Sequence, residues 1–382
     1  MKFVIAPDSF KGGMTAKEAA DAIQHGLKKI FPAAEFEKIP MADGGEGTVQ
    51  SLVDATDGHF IQKQVTGPLS TPVQAEYGIL GDQETAVIEM ASASGIQFVT
   101  DQTHNPLITT TYGTGELMLD AMSQGVHQII LGIGGSATND GGAGMAQALG
   151  VQLLDQNQHE LSFGGGRLGR LARIETAHLN PLVAQTKIII ASDVTNPLVG
   201  PNGASAVFGP QKGATPDMVA KLDANLQHYA AIIKRDLHID LANRPGAGAA
   251  GGLGAGLLAF TNADMQKGIA IVIKYAHLKQ RALGADFVFT GEGGIDFQTK
   301  FGKTPYGVAQ ATKSVAPNAP VIVLAGNVGD GIDSLYDKTA IDAIFPIVPG
   351  VTTLKKALAE GPKNLSQLAE NVGRLISSII NQ

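Results

Sequence analysis

Thr290–Ala309, TGEGGIDFQTKFGKTPYGVA, follows a short apolar run, Ala285–Phe289 (ADFVF), that reads as a buried parallel strand. The stretch sets Glu292, Asp296, Lys300 and Lys303 on a glycine-punctuated loop, and Pro305 opens the next helix. Open α/β sheets bind ligands at such places, beyond the carboxyl end of a strand and ahead of a helix N-terminus. The residue types suit phosphoryl transfer: carboxylates for a divalent cation, ammonium groups for phosphate charge, glycines for close backbone approach. A single stretch of this kind could be a decorated turn. It gains weight because other segments repeat the pattern.

Outward from it, the same rhythm appears at both ends of the chain. Lys2–Ala6 reads as a strand, Pro7–Thr15 (PDSFKGGMT) as the loop at its carboxyl end, and Thr15 with Glu18 as a capping box. The helix that follows runs to about Lys29, with Ala19, Ala22, Ile23, Leu27 and Ile30 on one stripe. A second strand, Glu35–Ile39, feeds MADGGEGT (Met41–Thr48) and a helix to about Ala55. After Asp264 come a helical segment Ile269–Leu283, the ADFVF strand, and a helix Pro305–Ser314. Then follow the strand Pro320–Gly326, a short helix after Gly331, the strand Ala343–Val348 and a terminal helix Ser366–Ile380. Five strands in a β/α series is the count of a flavodoxin-like doubly wound parallel sheet.

The intervening chain has a different texture. His59–Met90 alternates in short strands split by GPLSTP and GDQ, which implies antiparallel pairing. Beyond it, Thr109–Gly125 reads as a helix, Gln128–Ile133 and Lys187–Ala191 as buried strands, and Asp217–Lys234 as an amphipathic helix begun by Pro216. Pro245–Gly256, PGAGAAGGLGAG, allows close helix packing. The expectation is an α/β protein with a discontinuous flavodoxin-like domain, 1–58 plus 265–382, and a large inserted α/β domain, 59–264.

Composition narrows the function. A net charge of −7 without any Lys/Arg block argues against nucleic acid. Absence of cysteine removes disulfides, thiolate catalysis and cysteine-held metal. No run approaches the ~18 apolar residues of a membrane span, and the first apolar run is too short for a secretory signal. A soluble, cytoplasmic enzyme without membrane partners is expected; monomer and homodimer both stay open. The 48 glycines among 382 residues fit loops that bring backbone close to a ligand.

On the predicted sheet edge the carboxyl-end loops are PDSFKGG, MADGGEG, TGEGGIDFQTKFGK, AGNVGD and VPG. Turns are ordinarily rich in Gly and Asp, yet four such loops carry charge or glycine clusters on one edge. The switch-point rule selects Asp8, Ser9, Lys11, Glu292 and Asp296. In the insertion, GIGGSATNDGGAG offers an anion cradle through Gly134 and Gly135, with Ser136, Thr138 and Asn139 as further donors. It lacks the Lys-Ser/Thr of a Walker loop and the dinucleotide glycine fingerprint. Asp193 follows a buried strand, in a loop stiffened by Asn196-Pro197. TYGTGE (Thr111–Glu116) reads as a helix cap, and Arg167, Arg170 and Arg173 as a solvated face. The nine histidines show no metal-ligand spacing.

Taken together, PDSFKG, ADGGEGT, GGSATNDGG, DVTNPL with GPNGAS and FGPQKGA, and TGEGGIDFQTKFGKTPYGVA resemble the bacterial glycerate kinases (type 1) of the flavodoxin-like family. The resemblance implies phosphorylation of D-glycerate by ATP with Mg²⁺, in a cleft between the two domains. On that likeness, Ser9, Lys11, Lys300 and Lys303 are expected to hold glycerate carboxylate and phosphates. Asp8, Asp193 and Asp296 would hold Mg²⁺ or accept the hydroxyl proton, and Asp43 and Glu292 would be metal ligands. Gly134, Gly135, Ser136, Thr138 and Asn139 would bind nucleotide. The rival readings are a non-catalytic sugar-acid binding protein and a dehydrogenase of small hydroxy acids.

Overall fold

The computed structural model describes residues 1–380. The chain divides into two units, one of Met1–Asp57 with the chain from Lys267 onward, the other Gly58–Gln266. In chain order, β1 (Lys2–Ile5) and β2 (Glu35–Lys38) belong to the first unit. The second supplies β3 (His59–Thr66), β4 (Pro72–Ile79), β5 (Thr85–Glu89), β6 (Gln128–Gly132), β7 (Gln152–Leu154), β8 (Arg173–Glu175), β9 (Lys187–Ala191) and β10 (Ala263–Gln266). The first unit resumes with β11 (Phe287–Ile295), β12 (Val321–Val328) and β13 (Ala343–Pro346).

Strand order in the first unit is β13-β12-β11-β1-β2, every pair parallel. Counted within the unit this is 2-1-3-4-5, the flavodoxin-like order, and its switch point falls between β1 and β11. One face is covered by two helices, Ala16–Lys28 and Gly361–Ile380. Ile23, Leu27, Leu365, Ala369 and Ile376 there enclose Phe3, Ile5, Phe289 and Leu324 of the sheet. The capping box forms as expected: Thr15 Oγ1 accepts from Glu18 N at 3.1 Å and Thr15 N donates to Glu18 Oε2 at 2.8 Å.

Those two helices touch through Gly26, where an added Cβ would collide with the carbonyl oxygen of Ser366. Gly26→Ala must therefore separate the helices, and overpacking of this kind costs about 1–3 kcal/mol. The urea midpoint should fall accordingly; an unchanged midpoint would mean that the contact yields freely.

The second unit has a six-stranded sheet, β10-β9-β6-β5-β4-β3. The β3–β4 and β4–β5 pairs are antiparallel, as the alternating pattern predicts, but β5 meets β6 in parallel and so do β6–β9 and β9–β10. Ile88, Ile129, Leu131, Ile188 and Ile190 pack with Leu117, Met118, Leu253 and Leu257. A second cluster gathers Leu226, Tyr229 and Ile233 of the helix Pro216–Leu237 against Leu153, Leu198 and Ala255.

Several elements differ from the sequence reading. β10 was not foreseen, because ADMQ is short and mixed and becomes a strand only by adding to the edge of β9. The segment Ile269–Leu283 is two helices, Gly268–Tyr275 and Leu278–Arg281, broken at His277 with φ 53°. The terminal helix starts at Gly361 rather than Ser366, and the helix after Gly331 is a single 3₁₀ turn, Ile332–Leu335. Most consequential, β11 does not stop at Phe289. It continues to Ile295, hydrogen-bonded to β12 along its length, with Glu292 opposite Ala325 and Gly294 opposite Asn327. Glu292 is thus a strand residue, not a loop residue. Gly291 permits the pairing, since a Cβ there would strike the carbonyl of Leu324.

Candidate active site

In the first unit the ladder between β1 and β11 runs on past Ile5. Ala6 N donates to Phe289 O and Asp8 N to Gly291 O, both at 2.8 Å, so the backbone at Asp8 is fixed by the sheet. Its carboxylate is held as well: Oδ1 accepts from Ser9 N at 2.6 Å, and Oδ2 accepts from Thr304 Oγ1 at 2.5 Å. Thr304 opens the helix Thr304–Lys313. Burial pushes the Asp8 carboxyl up to about 6; the Thr304 hydrogen bond opposes the rise and the charge of Asp43 adds to it.

Glu292 is 9 % exposed. Burial pushes it up to about 8, Lys303 pulls it back, and the charges of Asp8, Asp43 and Asp296 raise it further. Lys303 Nζ stands 3.8 Å from Glu292 Oε1 and donates to Gly294 O at 3.4 Å. Asp43 folds its own loop, Oδ1 accepting from Gly45 N at 2.9 Å. Lys11 pairs with Glu46 at 3.0 Å, with both side chains largely in solvent, so the pair adds little stability and Lys11 can move.

Asp8, Ser9, Lys11, Asp43, Glu292 and Lys303 line one cavity of about 1030 Å³. Phe10, Met14, Ile347, Val348, Leu354 and Leu358 give the same cavity an apolar lining. Asp296 and Lys300, expected to join this set, do not line it. Asp296 Oδ1 caps the 3₁₀ turn Phe297–Phe301 by accepting from Gln298 N at 2.8 Å, and Lys300 Nζ lies over the Phe301 ring, 5.2 Å from its centroid. The FQTKF segment is read as part of a loop, but as a capped turn it turns both side chains to local work.

The raised Glu292 carboxyl makes a stability prediction. Between its ordinary value and about 8, the unfolded chain has lost this proton while the folded chain keeps it, so stability falls as pH rises. From pH 6.5 to 8, without nucleotide or divalent cation, the decline should reach about 1–2 kcal/mol. Glu292→Gln should flatten it. Equal slopes for the two proteins in urea titrations would refute the assignment.

In the second unit the loop after β6 divides in two. Gly134 and Gly135 are exposed and Ser136 is half-buried, whereas Thr138, Asn139 and Asp140 are buried. The side chains of Thr138 and Asn139, expected to meet nucleotide, instead face the interior. Asn139 Nδ2 donates to Ser205 Oγ at 2.9 Å, while Asn139 Oδ1 and Thr138 Oγ1 have no partner. Asp140 accepts from Thr111 N and Oγ1 at 2.8 and 2.9 Å, from Gly142 N at 3.1 Å and from Gly144 N at 3.2 Å. Burial raises its carboxyl and these four donors lower it. The Thr111 hydroxyl donates to Asp140 and accepts from Met145 N at 2.9 Å rather than capping its helix, Tyr112–Ser123.

Asp193 is exposed in the partly buried segment after β9, where Asn196 Nδ2 donates to Asn202 O at 2.9 Å. Arg167, Arg170 and Arg173 are exposed. Lys212, in the quoted string FGPQKGA, was missed as a candidate. It is buried, donates to Ser136 Oγ and the Thr138 carbonyl, and is pushed down by burial to about 7. Among the described residues no group of three or more acidic or histidine side chains forms a ready-made metal cage, and no helix is long and apolar enough to cross a membrane.

A model of the glycerate kinase family matches residues 3–377. A glycerate kinase of Haemophilus influenzae is 52% identical over 99% of this chain and 99% of its own. A glycerate 2-kinase of Escherichia coli is 48% identical over 99% of this chain and 98% of its own. A crystal structure from Salmonella typhimurium LT2, described as that of a glycerate kinase 2, superposes with a TM-score of 0.92 at 48% identity, covering 100% of both chains.

Proposed function

The chain belongs to the glycerate kinase family, and on that premise we propose that it phosphorylates D-glycerate with ATP and Mg²⁺ as a soluble cytoplasmic enzyme. The observation that carries the activity is identity of about half over the full length of relatives bearing that name. Neither the binding-protein nor the dehydrogenase reading finds support beside it. The 2-hydroxyl is taken as the acceptor, following the name of the Escherichia coli relative.

Asp8 is assigned as the general base. A base at neutral pH should be ionised yet as basic as possible, and a carboxyl near 6, aimed by Ser9 and Thr304, meets both conditions. Lys303 and the solvent-exposed Lys11 are assigned to the charge of the transferring phosphoryl group and the glycerate carboxylate, with Ser9 as a further donor. Loose phosphoryl-transfer transition states depend chiefly on such placement and charge. The turn Gly134–Ser136, exposed at its two glycines, is assigned to the phosphates of ATP.

Mg²⁺ needs only one or two protein carboxylates beside phosphate oxygens, so the lack of a cage among the described residues fits an ion that arrives with the nucleotide. Asp43 and Glu292 would hold it; when bound, the ion neutralises phosphate charge. The donor set fits, because burial among acidic neighbours disfavours the ionised Glu292 until positive charge is added. An ADP-release assay with D-glycerate, ATP and Mg²⁺ tests the activity, and no release would reject it. Feeding the product to enolase without phosphoglycerate mutase tests the regiochemistry: an enolase signal means 2-phosphoglycerate, and its absence means the 3-isomer.

A further inference from the structure

Lys212 is a buried charged group with no part in the chemistry assigned to Asp8, Glu292 and Lys303. It ends the turn Pro210–Lys212 and is 2 % exposed. Its ammonium donates to Ser136 Oγ at 2.7 Å and to the Thr138 carbonyl at 2.6 Å. Neither partner is charged, and Asp140 reaches it only as a charge, its oxygens being committed to Thr111, Gly142 and Gly144. Taking an ammonium out of water without a bonded counter-charge is strongly unfavourable. Packing alone does not call for lysine here. The loop it grips also carries two buried polar atoms without partners, Thr138 Oγ1 and Asn139 Oδ1. Unsatisfied groups of this kind in a native structure ask for a functional reason.

We propose that Lys212 is a positioning residue for phosphoryl transfer, fixing the Gly134–Ser136 turn, through Ser136 and Thr138, as the seat of a nucleotide phosphate. The inference rests on the kinase reading above. Because Ser136 Oγ accepts from Lys212, its own hydrogen can be donated only elsewhere, and a hydroxyl polarised by an ammonium is a strong donor to an anion. Gly134 leaves the outer side of the turn unobstructed, since a Cβ there would meet nothing within 4 Å, whereas Gly135 packs on Ala91, 3.2 Å from where its Cβ would stand. Cation, hydroxyl and phosphate would form one relay, with the charge set behind the turn rather than on its surface.

The test uses the full-length enzyme with Lys212→Met and Ser136→Ala, singly and together. Lys212→Met should raise KM for ATP by about tenfold or more, as loss of a charge-assisted hydrogen bond implies. KM for D-glycerate should stay within about twofold, and the thermal midpoint should fall by only a few degrees, the effect of leaving the Thr138 carbonyl without its donor. Ser136→Ala should raise KM for ATP by a smaller factor, and the double variant should be no worse than Lys212→Met, since both changes break one relay. An unchanged KM for ATP in Lys212→Met overturns the proposal. So does a large fall in the thermal midpoint with kcat and both KM values shifting together, which marks a purely structural lysine. If Lys212→Met does not fold, Ser136→Ala decides, and an unchanged KM for ATP in it is fatal. If wild type releases no ADP with D-glycerate, the kinase reading falls separately; calorimetric titration of wild type and Lys212→Met with ATP then judges Lys212, equal affinities rejecting it.

Discussion

Asp8→Asn is expected to lower kcat about 10²–10⁴-fold, the usual worth of a general base, with KM for ATP and D-glycerate within about threefold. Asparagine keeps the shape and can still accept from Ser9 N and meet Thr304 Oγ1, so the loss should lie in proton transfer and not in folding. The pH profile supplies a second readout. In wild type kcat/KM should fall on the acid side as Asp8 is protonated, near 6. Thr304→Val removes a hydrogen bond that lowers the Asp8 value, so its acid limb should move to higher pH. Asp296→Ala should act differently, through a lost cap worth about 0.5–2 kcal/mol of stability. Equal, mild losses of activity for Asp8→Ala, Asp193→Ala and Asp296→Ala would remove the distinction and the mechanism with it.

The contrast between Asp8 and Asp296 shows what sequence reading can reach. The parallel sheet was legible because VIVLA, ADFVF and KFVI are apolar runs between glycine-rich turns, a pattern that has few other readings. Their order then placed Asp8 and Glu292 on one edge, since a strand's carboxyl end is known once its direction is known. Side-chain direction beyond that edge was not legible. Whether Asp296 faces a cavity or caps a turn depends on φ and ψ over the five residues Phe297–Phe301, and nothing periodic in FQTKF records them.

Burial was harder still. GGSATND reads as an exposed polar loop, yet from Ala137 to Asp140 it lies inside, because Asp140 collects two donors from Thr111, far off in the chain, and two from Gly142 and Gly144 just after it. Lys212 escaped for the same reason: a lysine is ordinarily solvated, and only the fold reveals one that is not. The signal available was its place in the string FGPQKGA, one of those that carry the family likeness.

Lys303→Met is expected to reduce kcat by about 10²–10³-fold, the range seen when one preorganised donor to a developing charge is removed. Lys303 stands at the cap position of the helix Thr304–Lys313, so its backbone is held while its side chain reaches Glu292 and the carbonyl of Gly294 at 3.8 and 3.4 Å. Both distances are long for an ammonium. Its charge is not consumed by a tight pair, and a short movement would bring it to a phosphoryl oxygen. Arginine keeps the charge but not the compact point geometry, so Lys303→Arg should recover part of the lost rate. Glu292 reports the same charge independently. Lys303 lowers the Glu292 value, so in the Met variant the folded state should hold that proton to higher pH, and its loss of stability with rising pH should extend further. A Met variant with kcat within about threefold of wild type, but with the stability curve displaced as described, would confine Lys303 to balancing Glu292 and pass the phosphoryl charge to Lys11. A Met variant that changes neither would remove Lys303 from the reaction and from the balance of Glu292 alike.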